Sequence, residues 1–314
     1  MSLIEINHKN QTKLHGYDKF FKNLTDLYID KKLPKKIILS GPKGIGKSTL
    51  SYHLVNYIFS ADEKNKYDVK NLRINDTNRS FNLVKNNSHP NFFLIDTQDE
   101  KKNIDIDQIR KMINFCNKST FNNHEKIVLI NNLDKLNKNS VNALLKIVEE
   151  PNNDIYFILI LDSNKTILKT LKSRCIKFNL FLTFEQSIDV VNKITGFNIF
   201  DLINNDLLHY YNTPGHYIKL INFSKKYDID LKETSLKKFL ILLIDNSYYK
   251  KDNFIDNCIY QYLEFYLLKI MNINNSSKLN FFYKRFIEKI FNMHKYNLDK
   301  ESFFIEFKTK IFNG

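Results

Sequence analysis

Residues 36–50 read "KIILSGPKGIGKSTL". A short apolar strand pattern, "KIILS" at 36–40, runs into a glycine-rich loop, "GPKGIGKS" at 41–48. The next stretch, "STLSYHLVNYIFS" at 48–60, has the spacing of a helix. The loop fits GxxxxGK[ST] at every fixed position, and strand, loop, helix is the order a phosphate-binding loop requires. Gly41, Gly44 and Gly46 let backbone N–H groups curl around phosphates, with Pro42, Lys43 and Ile45 between them. Lys47 can reach the β- and γ-phosphates, Ser48 can bind Mg²⁺, and Thr49 follows in the first helical turn. The helix points its positive dipole end at the same anion.

Four further apolar runs predict strands: 91–96, 126–130, 154–161 and 175–180. Between them, 105–118 and 139–150 have helical spacing; Pro151 stops the second. Buried strands alternating with helices mean an α/β domain with a mainly parallel sheet. Upstream, 17–33 predicts a helix ended by Pro34. Residues 60–90 are polar and poorly periodic and read as a surface excursion. After about residue 182 the strand signals stop. Short helices over 184–222 are broken at "NTPG" (212–215). Longer ones follow at 235–248, 253–272, 279–293 and 299–312, with "NINNSS" at 272–277 as a loop.

A phosphate loop usually works with a later strand ending in acids that hold magnesium and activate water. Here "IVLINN" ends in Asn131 and Asn132. An amide accepts through one neutral oxygen, carries no charge for Mg²⁺ and cannot take a proton. Two carboxylates could stand in: Asp96, ending "FFLID", and Asp134, three residues past the strand end. With either in place the chain would hydrolyse ATP itself; without them it binds nucleotide and turns it over little.

The chain has 314 residues, enough for two or three domains. No apolar run approaches the roughly 18 residues of a membrane span, and "MSLIEINHKNQTKLHG" lacks a signal-peptide stretch, so a cytoplasmic protein without membrane contact is expected. Cys116, Cys175 and Cys258 are too dispersed for a disulfide framework or a zinc pair. The net charge of +14 fits either a basic face for nucleic acid or a generally basic solvated surface, because the lysines are scattered. Arginine is scarce: Arg73, Arg79, Arg110, Arg174 and Arg285. Each is a candidate for bidentate recognition of phosphate or carboxylate.

The stretch 131–175 carries a family resemblance. "NALLKIVEEP" (142–151) and "SRC" (173–175), with the phosphate loop, "LHGYDKFFKNL" (14–24) and "HPNFFLID" (89–96), resemble the AAA+ clamp-loader subunits of bacterial DNA polymerase III. The similarity spans roughly 10–225. It implies an AAA+ nucleotide-binding domain with a parallel sheet over 1–180, a small helical lid over 181–228 and an all-helical collar over 229–314. Within the family the chain looks like the delta-prime branch rather than the tau/gamma motor. The motor has an acidic strand end, a four-cysteine zinc module and a sensor arginine. This chain has Asn131 and Asn132, no cysteine in 60–90, and His216 in the "NTPGHYIKL" turn. The resemblance gives Arg174 the role of a finger reaching the neighbouring subunit's ATP. It implies ATP or ADP with Mg²⁺ and no zinc. It also implies a pentameric ring with tau/gamma and delta, meeting the sliding clamp and primer–template DNA. The alternative within the family is an active tau/gamma-like ATPase motor.

Overall fold

The computed structural model describes residues 3–4, 7–97, 103–122, 124–149, 154–209, 211–273, 277–296 and 299–312. The chain divides into two units, 1–196 with 210–218, and 197–209 with 219–314.

In the first unit, α1 (Asp18–Ile29) precedes β1 (Lys36–Gly41), the loop and α2 (Lys47–Phe59). Then come α3 (Arg79–Lys85), β2 (Phe92–Ile95), α4 (Ile106–Asn117), β3 (Lys126–Ile130), α5 (Lys138–Glu149), β4 (Ile155–Asp162), α6 (Lys169–Lys172), β5 (Ile176–Asn179) and α7 (Phe184–Thr195). All strand pairs are parallel, in the order β2-β3-β4-β1-β5. The expected parallel α/β sheet is therefore present. The phosphate-loop strand sits between β4 and β5, and β2 lies beside β3.

Alternation along the strands sorts the core into two layers. Ile37, Leu39, Ile127, Leu129, Ile158 and Ile160 face one side, with residues of α1, α2 and α3. Ile38, Val128, Ile130, Phe157, Leu159 and Leu161 face the other, with α4, α5 and α6. Two strand lysines cap helix C-termini, where cations complement the dipole. Lys36 Nζ donates to the Val148 carbonyl of α5 at 2.7 Å. Lys126, only 2% exposed, donates to the Phe115 and Lys118 carbonyls at the end of α4.

The structure corrects several expectations. Helix α1 ends at Ile29, well short of Pro34, with Asp30 as its C-cap. The 60–90 stretch is no surface excursion: Tyr67, Leu72, Ile74, Phe81 and Val84 are buried in the core layer over α2. Helix α2 is consequently buried nearly all round, and two of its polar side chains, His53 and Asn56, donate or accept inside. His53 Nε2 lies 3.1 Å from the Gln11 carbonyl and Nδ1 2.8 Å from the Tyr67 hydroxyl. A carbonyl only accepts, so Nε2 carries the proton and Nδ1 accepts from Tyr67. Asn56 donates to Asn78, whose side chain caps α3 by accepting from Phe81 N–H. Glu63 accepts from the N–H groups of Arg79 and Ser80 at the same helix start. The His89 ring stacks on Phe59, centroids 4.0 Å apart.

The second unit is helical: α8 (Ile199–Leu202), the later part of α9 (Pro214–Tyr227), α10 (Leu236–Asp245), α11 (Tyr248–Lys251), α12 (Asn253–Ile273), α13 (Ser277–Tyr296) and α14 (Lys300–Phe307), then a π-helical turn to Phe312. Pro214 opens α9 rather than merely breaking a helix, since proline suits a first helical position. The expected 272–277 loop is narrower: Asn272 and Ile273 end α12, Ser277 begins α13, and 274–276 lie outside the described residues. Aromatic contacts tie this unit, including Tyr260 stacked on Phe304 at 5.6 Å and Phe286 edge-on to Phe307 at 5.0 Å. Among the described residues no helix is long and apolar enough to cross a membrane. All three cysteines are buried. Burial pushes the thiols of Cys116 and Cys175 up to about 11, and that of Cys258 upward as well.

Candidate nucleotide site

The loop between β1 and α2 has the backbone its glycines predict. Gly44 and Gly46 sit at φ +84° and +100°, and Gly46 is the N-cap of α2. Tyr17 donates its hydroxyl proton to the Ile45 carbonyl at 2.8 Å, fixing the loop crest from beneath. Lys47, 7% exposed, donates to the Gly41 and Pro42 carbonyls at 2.7 and 2.8 Å. Burial draws its ammonium down to about 8, opposed by the charges of Asp162 and Asp134. Asp134, in the 3₁₀ turn Leu133–Lys135 after β3, thus acts on Lys47 through its field.

A turn from far along the chain closes over the loop. Thr213 Oγ donates to the Lys43 carbonyl at 2.8 Å, and Gly215 N–H to the Gly44 carbonyl at 2.9 Å. Beside this contact lies a cavity bordered by His15, Tyr17, Gly44, Thr49, Ile194 and Pro214. Thr49, on the first turn of α2, lines this cavity, and Lys47 and Ser48 do not.

The strand-end residues form a single network. Ile95 of β2 is in register with Ile130 of β3, so Asp96 and Asn131 emerge side by side. Ser48 Oγ donates to Asn131 Oδ1 at 3.4 Å. Asn131 Nδ2 donates to Asp96 Oδ2 at 2.9 Å, and Asn132 Nδ2 to Asp96 Oδ1 at 2.8 Å. Asp96 Oδ1 also accepts from Thr97 N–H at 2.8 Å. Both carboxylate oxygens are thus engaged, and the atom facing Ser48 is a neutral amide oxygen. The donor set fits a magnesium–nucleotide: Ser48 and Asn131 offer hard oxygens, and Lys47 and the amino end of α2 would hold the phosphates. Among the described residues, no group of three or more His, Cys, Asp or Glu side chains could hold a metal by itself.

Arg174 lies beyond this network, just after α6. Its Nη2 is 2.9 Å from Glu149 Oε1 and its Nη1 donates to the Thr170 carbonyl at 2.8 Å. Ser173 Oγ donates to the same Thr170 carbonyl at 2.9 Å. The Arg174 side chain is 37% exposed and that of Glu149 46%, so the pair is at the surface. Sequence reasoning singled out the loop, Asn131, Asn132 and Arg174; the structure joins Asn131 to the loop through Ser48 and places Arg174 apart, on Glu149. That reasoning missed the Asp96 clamp, Tyr17 and the Thr213–Gly215 turn; only the "PG" dipeptide hinted at the last.

The family model for DNA polymerase III, delta subunit, matches residues 16–183. The chain is 27% identical over 249 residues to DNA polymerase III subunit delta' of Buchnera aphidicola subsp. Baizongia pistaciae, covering 77% of this chain and 66% of that one. To subunit delta' of Pseudomonas aeruginosa it is 29% identical over 140 residues, 45% of this chain and 41% of that one. To subunit delta' of Buchnera aphidicola subsp. Schizaphis graminum it is 26% identical over 291 residues, 85% and 83%.

Proposed function

This chain belongs to the DNA polymerase III delta-subunit family, and we propose that it is a delta-prime-like clamp-loader subunit that holds magnesium–nucleotide with little hydrolysis of its own. The observation that carries this reading is the Ser48–Asn131 contact, an amide oxygen beside an intact phosphate loop. The loop can cradle phosphates with Gly44, Gly46, Lys47 and Ser48, and the cavity beside Tyr17 and Thr49 can take a flat base. General-base activation of water needs a group that accepts a proton, and Asn131 cannot. Arg174 then serves a neighbouring subunit's ATP. A guanidinium at the surface, tethered by a half-exposed partner, can be released toward another molecule's γ-phosphate. The partners are the other subunits of a ring that loads a sliding clamp onto primed DNA. Residues 181–228 would act as lid and 229–314 as collar.

The test is magnesium–ATP binding and turnover by the purified chain alone. Binding with negligible turnover is the expected result. Robust turnover, lost in Lys47→Ala, would make the chain a motor. Absence of binding would reduce it to scaffold and finger.

A further inference from the structure

In this site an acid and an amide end neighbouring strands. The carboxylate, Asp96, ends β2, while the residue facing Ser48, Asn131, is an amide ending β3. An asparagine side chain has two ends of opposite character, and its neighbours decide which end faces which way. Asn131 is 3% exposed, so water does not share that choice. Its Nδ2 meets a pure acceptor, Asp96 Oδ2, at 2.9 Å. The opposite end, Oδ1, is thereby turned to the Ser48 hydroxyl. The reverse orientation would set Oδ1 against a carboxylate oxygen and leave Asp96 without this donor. It would also direct an NH₂ group at the cation side of the loop.

We infer that Asp96 is a positioning residue: it selects the Asn131 orientation that presents Oδ1 to Ser48 and so keeps the site competent for a magnesium–nucleotide. Asn132 holds the other carboxylate oxygen at 2.8 Å, and Thr97 N–H the same atom at 2.8 Å, which fixes Asp96 in turn. Asn132 takes a left-handed backbone, φ 52°, to make that reach. The inference rests on the nucleotide-binding reading above, and it explains what the two asparagines do there. Ser48 gives its proton to the amide and keeps its lone pairs for a cation. The role of a strand-end acid in orienting this hydroxyl survives, without the charge or the proton-accepting step.

The experiment compares the full chain with Asp96→Ala and with the exchanged pair Asp96→Asn/Asn131→Asp. In Asp96→Ala nothing selects the orientation. In the exchanged pair a carboxylate at position 131 offers oxygen to Ser48 whichever way it turns. The amide then standing at position 96 can still donate to that carboxylate and accept from Asn132. Two quantities are read: ATP affinity with and without Mg²⁺, and the Asn131 side-chain amide signals by nuclear magnetic resonance. Groups that hold a metal ligand in its orientation are commonly worth about 10–100-fold in metal affinity. Asp96→Ala is expected to lose at least about tenfold in Mg²⁺-dependent affinity, with Mg²⁺-free binding unchanged, and the exchanged pair to regain it. The Asn131 amide protons are expected to exchange slowly in the wild-type chain and rapidly in Asp96→Ala. Unchanged Mg²⁺-dependent affinity in Asp96→Ala, or unaltered Asn131 amide signals, would overturn the inference. A wild-type chain that binds no nucleotide would overturn the reading beneath it, and the amide signals would still decide the orientation.

Discussion

Gly215 N–H donates to the carbonyl of Gly44 across 2.9 Å, joining the phosphate loop to a turn at the far end of the first unit. The approach is close enough to exclude side chains. A Cβ on Gly215 would lie 2.8 Å from Gly44 Cα, and one on Gly44 2.6 Å from Thr213 Oγ. Both obstacles are short-range and one is backbone, so the loop itself must move. Gly215→Ala is expected to destabilise the first unit by about 1–3 kcal/mol, the usual range for overpacking. Thr213→Val, which removes the bond to the Lys43 carbonyl and the longer one accepted from His216 N–H, should lose about 1 kcal/mol. Urea unfolding of both variants checks the order; a neutral Gly215→Ala would mean the turn does not dock on the loop in solution.

Arg174 and Glu149 are both substantially exposed, so their ion pair should contribute under about 1 kcal/mol to stability. Glu149→Gln and Arg174→Ala should therefore unfold at nearly the wild-type urea concentration. Their effects on a reconstituted loader should differ. Arg174→Ala is expected to lower DNA-stimulated ATPase at least about tenfold, since fingers supplied in trans can be worth roughly 10³–10⁵ in rate. Glu149→Gln should retain it. Equal loader activity in Arg174→Ala and wild type would remove the finger from the proposal.

The Lys47 ammonium, drawn down to about 8 by burial, should be charged below that pH and increasingly neutral above it. ATP affinity of the isolated chain is accordingly expected to weaken as pH rises through about 8. Lys47→Arg, which titrates far higher, should flatten the profile. A wild-type profile flat to about pH 9.5, well past the Lys47 value, would contradict this.

His53 is fully buried, with a folded pKa depressed to about 3, and burial also lowers His89, to about 4. Both are neutral in the folded chain near pH 5, whereas the unfolded chain takes up protons below about 6.5. The unfolded state then binds more protons, so stability is intact above about 6.5 and falls as pH drops toward the folded values. At about pH 5, His53 alone should account for roughly 2 kcal/mol. Urea unfolding at about pH 5 and about pH 7.5 measures the difference, and His53→Gln should shrink it.

The strands and the loop were readable because each is a local pattern: a continuous apolar run, a fixed glycine spacing. Helix α5 was readable for the same reason, with Val141, Leu144 and Val148 on one buried face. The 60–90 segment was not. Tyr67, Leu72 and Ile74 have no period, and they are buried because they pack in the layer over α2, which offers His53 to Tyr67 and Asn56 to Asn78. Those are tertiary facts. The same holds at the site. Asp96 and Asn131 are neighbours only because β2 pairs with β3, and strand order is absent from residue spacing. Thr213 meets Lys43 from 170 residues along the chain, a separation no local window contains.

The three cysteines are all buried, and none has a thiol poised to ionise near neutral pH. The folded chain should therefore be nearly silent to maleimides and to mild oxidants. Cysteines introduced at exposed positions such as Lys169 or Phe181 could then carry fluorophores without first stripping the native ones. That would let distances between the Arg174 edge and a neighbouring subunit be followed in real time, in a molecule otherwise unaltered.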